Sequence, residues 1–195
     1  LSSVISGLGT PDNINPLINP TDISFGALAS TVYVTDASLQ AIIAVDLATG
    51  SRSVLSSNTV PNGSNPFSNP TSIAYDPALS RLIVTDAGAD QLLAVDIATG
   101  ARSVIADFSG LGGSNEIGAL DIDTANNRAI FTDTDISALI AVDLASGVRT
   151  VISDLTTPNA SSPLSLPVDV QVDVVNQLAF VADVIEGYFQ ISLSD

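Results

Sequence analysis

Aspartate supplies nearly all the ionisable chemistry of this chain. Its 195 residues include 21 acidic groups, all aspartates except Glu116 and Glu186, against 5 arginines and no lysine, histidine or cysteine. Four of the aspartates end nearly the same phrase: "VYVTD" at Asp36, "LIVTD" at Asp86, "AIFTD" at Asp133 and "AFVAD" at Asp183, at intervals of 50, 47 and 50 residues. Ten residues beyond the first three, Asp46, Asp96 and Asp143 each open a D-[LI]-A-[TS]-G phrase. Such carboxylates could hold a hard cation or accept hydrogen bonds from backbone amides. A residue that recurs at one place in every repeat meets the same surroundings each time. Asp36, Asp86, Asp133 and Asp183 are therefore read as structural residues that accept amides of the turn that follows. Asp46, Asp96 and Asp143 read as turn caps, with Gly50, Gly100 and Gly147 supplying positive φ. The arginines two residues on (Arg52, Arg102, Arg149) are expected across that turn or paired with a nearby aspartate.

The inventory excludes whole classes of mechanism. Without His or Cys, no Ser-His-Asp or Cys-His catalyst, His-zinc site, thiolate metal site or disulfide can form. A net charge of −16 repels polyanions, which argues against nucleic acid and anionic membrane surfaces as partners. No run reaches the ~18 apolar residues needed to insert into a bilayer as a helix. A chain lacking Lys, His, Cys, Met and Trp and rich in Asp, Ser, Thr and Asn suits an extracellular or cell-surface location. No signal peptide is visible and the chain opens on Leu1, so a processed product or a piece of something longer is expected.

The elements that must position these residues are short. The second repeat contains "TSIAY" (71–75), "RLIVT" (81–85), "QLLAV" (91–95) and "RSVIA" (102–106), separated by "DPALS", "DAGAD" and "DIATG". Runs of about five aliphatic or β-branched residues between such turn-formers read as strands of an antiparallel meander. Several runs are apolar on both faces, which suits sheets covered on both sides. Four antiparallel strands repeated every ~45–50 residues predict an all-β fold, a β-propeller with four blades in this chain. The repeats fall at approximately 20–60, 69–107, 117–154 and 166–195 plus 1–7, as one domain over 1–195. The last blade lacks a fourth strand, and residues 3–6 look like an orphan fourth strand, so the N-terminal strand is expected to complete it. Four blades could close alone, form half of an eight-bladed ring of two chains, or belong to a larger propeller.

The stretch "NPTSIAYDPALSRLIVTDAGADQLLAVDIATGARSVI" resembles the NHL/YWTD/SMP-30-like propeller repeats. The resemblance covers nearly the whole chain. It implies a propeller whose relatives include lactonases, receptor modules and scaffolds, usually with six blades. It also implies that the second-strand aspartate braces the blade, as in YWTD-like repeats. SMP-30-like lactonases are implied to hold an ion in the channel with Glu, Asn and Asp side chains. This chain does not reproduce that set.

Where the repeats disagree, binding chemistry has room. The first-strand station reads Asp22, Ser72, Ala119 and Asp169. At the mouth of a central channel, Asp22 and Asp169 are the candidate metal ligands, with Ca2+ as the candidate cofactor. "DIDTANN" (121–127) and "DTDIS" (133–137) carry part of a calcium-loop pattern and are also ordinary turn sequence. The interblade links 57–70, 107–118 and 156–167 vary most, and variable loops often carry binding. "NGS" (62–64) and "NAS" (159–161) fit the N-glycosylation pattern, and Tyr188 and Phe189 are read as core. The leading expectation is a non-enzymatic extracellular module that binds or scaffolds, with an unidentified protein or carbohydrate ligand. Alternatives are a Ca2+-dependent, SMP-30-like lactonase or hydrolase, and a self-assembling surface-polymer subunit whose homo-oligomers form by strand exchange.

Overall fold

The computed structural model describes residues 5–6, 14–109, 116–157 and 163–194. Among them lie fifteen strands and no helix. The first sheet runs β1 (Pro20–Phe25), β2 (Thr31–Asp36), β3 (Ala41–Asp46) and β4 (Arg52–Ser57). The second runs β5 (Pro70–Asp76), β6 (Arg81–Asp86), β7 (Gln91–Asp96) and β8 (Arg102–Asp107). The third runs β9 (Ile117–Asp123), β10 (Arg128–Asp133), β11 (Ala138–Asp143) and β12 (Arg149–Ser153). The fourth contains β13 (Pro167–Asp173), β14 (Leu178–Asp183) and β15 (Gly187–Ser192). Every pairing is antiparallel and in chain order, so each sheet is a meander. The strands expected in the second repeat match β5 to β8 to within a residue at either end. Residues 1–4, which include part of the expected closing strand, lie outside the described residues, as do 110–115 and the "NAS" at 159–161.

Turn chemistry explains why the chain reverses where it does. The hairpins between the second and third strands end on Gln40, Asp90 and Ser137, with φ of 50°, 53° and 53°. The next reversal uses Gly50, Gly100 and Gly147, with φ of 71–73°. Glycine serves a second purpose there. A Cβ on Gly100 would stand 2.0 Å from the carbonyl oxygen of Leu55, in the fourth strand of the preceding blade. The equivalent contact at Gly147 is 2.3 Å from the Ile105 oxygen. Blades thus approach each other backbone to backbone at these turns.

Side chains alternate across each strand, and the two faces go to different neighbours. Leu82 and Val84 on β6 pack with Tyr33 and Ile42 of the first blade. Ile83, between them, packs with Phe131 and Ile140 of the third. This is why runs such as Leu82-Ile83-Val84 in the middle strands are apolar at consecutive positions and still form no helix. The first strands stand side by side in the order β1, β5, β9, β13. At the ends of this row, positions buried elsewhere face outward: Ile23 and Phe25 on β1, Phe180 on β14 and Tyr188 on β15. Tyr188, expected in the core, is 93% exposed, because no sheet covers that side of β15 among the described residues.

The arginine expectation is corrected as well. Arg52 and Arg102 are buried rather than exposed. Arg102 donates to the carbonyls of Ser57, Val60, Asn62, Ser64 and Asn65 and to Ser56 Oγ. It holds the link between blades 1 and 2 instead of an aspartate. Arg52 likewise donates to the Ile14 carbonyl and to Ser6 Oγ, and Ser6 donates to the Gly50 carbonyl. Ser56 makes the same bond to Gly100. Ser6 therefore sits beside blade 1 where the fourth strand of a preceding blade would sit.

Candidate ligand site at the channel

The repeated aspartates use their oxygens on the chain's own amides. Asp86 accepts from Ser68 N at 2.8 Å and Asn69 N at 2.7 Å, in the loop before β5, and from Ala89 N at 3.2 Å in the following turn. Asp36 accepts from Ile18, Asn19 and Leu39 in the same pattern. Asp183 accepts from Ser165, Leu166, Ile185 and Glu186. Burial pushes the Asp183 carboxyl up, but these four amides outweigh it and hold it below its ordinary value. Asp133 accepts only from Asp135 and Ile136 among the described residues. Burial dominates there and leaves Asp133 raised.

Asp46, Asp96 and Asp143 lie on the surface and accept from the hydroxyl and amide of Thr49, Thr99 and Ser146. Those hydroxyls, with the amides, lower all three carboxyls. In "DIDTANN", Asp123 pairs with Arg128 at 2.8 Å and accepts from Asn126, while Asp121 points to the next blade.

The first strands enclose a hollow of about 660 Å3, lined by β1, β5, β9 and β13. Asp22 and Asp169 both line it, but they differ in use. Asp22 Oδ2 accepts from the Ser72 hydroxyl and from Ile73 N at 2.9 Å, across the gap between blades 1 and 2. Its Oδ1 accepts from Ile23 N at 2.7 Å. Ser72 then accepts from Leu120 N of blade 3 at 3.1 Å. Between blades 3 and 4 the acceptor is Asp121, which takes Val172 N at 2.7 Å and the Gln171 amide. Asp169 accepts only from its own neighbour Val170 N among the described residues. Burial pushes Asp121 up, its two backbone amides pull it part-way back, and the nearby Asp169 charge adds to the rise. Among the described residues, no three acidic groups stand together. Asp22 serves as a latch between blades 1 and 2.

A second ladder runs just above these latches. Thr21 donates to the Pro70 carbonyl and meets Thr35, and Thr71 repeats both contacts with Ile117 and Thr85. In blade 3 the partner threonine is replaced by Gly118, and Thr132 Oγ1 is buried without a hydrogen bond among the described residues. In blade 4 both positions are apolar, Val168 and Ala182. Sequence reading missed both ladders because their members lie 46–51 residues apart. The readable signal is a Thr or Ser recurring one blade length away, and its loss after blade 2.

No family model matches the chain, and no curated protein matches it. Solved structures do. One chain of a nidogen/laminin complex superposes with a TM-score of 0.67 at 21% identity, over 87% of this chain and 57% of that one. A structural genomics protein of unknown function from Bacteroides thetaiotaomicron VPI-5482 gives 0.66 at 12% identity, over 88% and 46%. Streptogramin B lyase gives 0.59 at 12% identity, over 90% and 55%. This chain therefore spans about half the length of the solved structures it matches. Meander sheets set side by side around their first strands, with these likenesses, define a β-propeller. At such identities the likeness shows the fold alone. No helix among the described residues is long and apolar enough to cross a membrane.

Proposed function

We propose that this propeller is a non-enzymatic binding or interaction module, acting outside the cell or on its surface, with its ligand site at the channel hollow. The observation that carries this reading is how the polar groups are used. The repeated aspartates and buried arginines are engaged inside the chain, so ligand-competent groups are left where the repeats differ. Around the hollow these are Ser24, Tyr75 and Asp169. A carboxylate and hydroxyls beside exposed Phe25 suit a neutral or cationic ligand with hydroxyls or amides, such as a carbohydrate or a protein loop. One fold neighbour belongs to a complex between two proteins, which is compatible with this class.

The test is an array of soluble glycans and secreted proteins probed with the purified chain. Binding that falls at least ten-fold in Tyr75→Phe and Asp169→Asn supports the channel. Binding unaffected by both moves the site to the interblade links. The Ca2+-dependent lactonase reading is tested separately by lactone hydrolysis and by melting temperature with and without Ca2+. The module reading expects neither turnover nor a shift.

A further inference from the structure

We propose that the cleft between blades 1 and 2, beside the hairpin that joins β1 to β2, receives the arginine side chain of a partner protein. What the same seam holds in the later blades points to that occupant. Arg81 opens β6, pairs with Asp76 at 2.8 Å and donates to the Leu144 carbonyl of blade 3. Arg128 opens β10, pairs with Asp123 at 2.8 Å and donates to the Leu193 carbonyl of blade 4. In both places a guanidinium plugs the seam between one blade and the next. The stations of the ion pair close the same hairpin in blade 1, where they hold Gly26 and Thr31. The plug is missing there, and the seam opens into a cleft of about 240 Å3 lined by Gly26, Leu28, Thr31, Tyr33, Tyr75 and Ile97. Ile97 stands at the station of Leu144 and Leu193, so its carbonyl is the acceptor that blade 1 leaves without an arginine.

An arginine lodged here meets the same carbonyl as Arg81 and Arg128 do, with two tyrosines in place of the carboxylate. A Cβ on Gly26 would stand 2.6 Å from Tyr33 Cε2, so the tyrosine ring takes the room where the aspartate side chain would begin. Burial, and then the neighbouring Tyr75 phenol, raise the Tyr33 phenol, which puts the two hydroxyls within electrostatic reach of each other. Aromatic rings attract a guanidinium, and the aliphatic stem of an arginine covers Ile97 and Leu28, which is 70% exposed. The cleft is mainly apolar, which suits the weakly hydrated guanidinium better than an ammonium. A net charge of −16 draws cationic partners to the surface as a whole. The cleft selects among them by shape.

The probe is an acetylated and amidated Gly-Gly-Arg-Gly-Gly peptide, titrated into the whole chain while the ring signals of Tyr33, Tyr75 and Tyr188 are followed by NMR. Saturable shifts are predicted at Tyr33 and Tyr75 and none at Tyr188. Peptides with citrulline or leucine in place of arginine are predicted to bind at least ten-fold more weakly. Thr31→Arg is predicted to fill the cleft from within and abolish binding, while Thr31→Val keeps the cleft open and binds as the wild type does. Asp169→Asn, the variant that tests the channel hollow, is predicted to leave this binding unchanged, so the two readings stand or fall separately. Absence of a Tyr33 shift with the arginine peptide would overturn the proposal, whether or not Thr31→Arg folds. Equal binding of the leucine peptide would make the occupant an apolar side chain and overturn it. Binding that survives in a folded Thr31→Arg, or is lost in Asp169→Asn, would place the peptide elsewhere and overturn it too.

Discussion

The guanidinium carbon of Arg102 lies 5.0 Å from the centroid of the Phe67 ring, so one side chain clamps the link between blades 1 and 2 from both sides. Its N–H groups take the carbonyls of that link while its flat face covers a buried aromatic. All its partners are neutral oxygens, and burial lowers its pKa. Removing it would leave several carbonyls unpaired. Arg102→Ala is predicted to cost about 3 kcal/mol. Arg102→Lys should recover little, because an ammonium cannot span that fan of acceptors. Arg149→Ala is the control and should cost much less, since Ala106 stands where Ser56 meets Arg102. Chemical denaturation of the three variants checks this.

Thr132 offers a test of opposite sign. Its buried hydroxyl has no partner among the described residues, whereas Thr85 Oγ1 donates to the Gly118 carbonyl at 3.0 Å and meets Thr71. Replacing an unsatisfied hydroxyl by a methyl removes a desolvation cost of about 1–3 kcal/mol. Thr132→Val is therefore predicted to raise the melting temperature and Thr85→Val to lower it. Equal losses in the two would mean that Thr132 is satisfied in solution.

Acid should separate Asp133 from Asp183. The folded pKa of Asp183 is lowered, so its stabilising effect is full above the unfolded value and is lost as pH falls through the folded one. Asp133 is raised, so its ionised form weakens the fold above its folded pKa, and that cost disappears as pH falls below the unfolded value. At pH 7, Asp183→Asn is predicted to lower the melting temperature and Asp133→Asn to raise it. The Asp133 difference should shrink towards zero near about pH 3, where unfolded carboxyls are protonated. The Asp183 difference starts to shrink there and vanishes only as pH falls below its lower folded value. Melting curves from pH 7 to 3 check both signs.

Much of the fold was legible because each blade repeats its own turn chemistry. The D-x-x-[TS]-G phrase marks a hairpin wherever it occurs, and doubly apolar strands announce covered sheets. Contacts between blades were harder to read. Arg102 looked like a turn residue because its partners lie up to 46 residues away and are mostly backbone oxygens, which sequence does not display. Asp22 looked like a free carboxylate for the same reason: Ser72 lies 50 residues on. Tyr188 looked like core because its strand neighbours imply a covered face, and exposure depends on whether another blade stands beside it.

The central claim is that the repeated aspartates hold loops to strands and need no ion. Asp86 tests it most directly, being fully buried and bonded to three amides. The measurement is thermal unfolding of the wild-type chain and Asp86→Asn, each with Ca2+ and with EDTA. The account predicts a loss of about 2 kcal/mol in Asp86→Asn that is the same in both buffers, with an unchanged wild type. A wild-type chain that loses comparable stability in EDTA, while Asp86→Asn no longer responds to Ca2+, would contradict it.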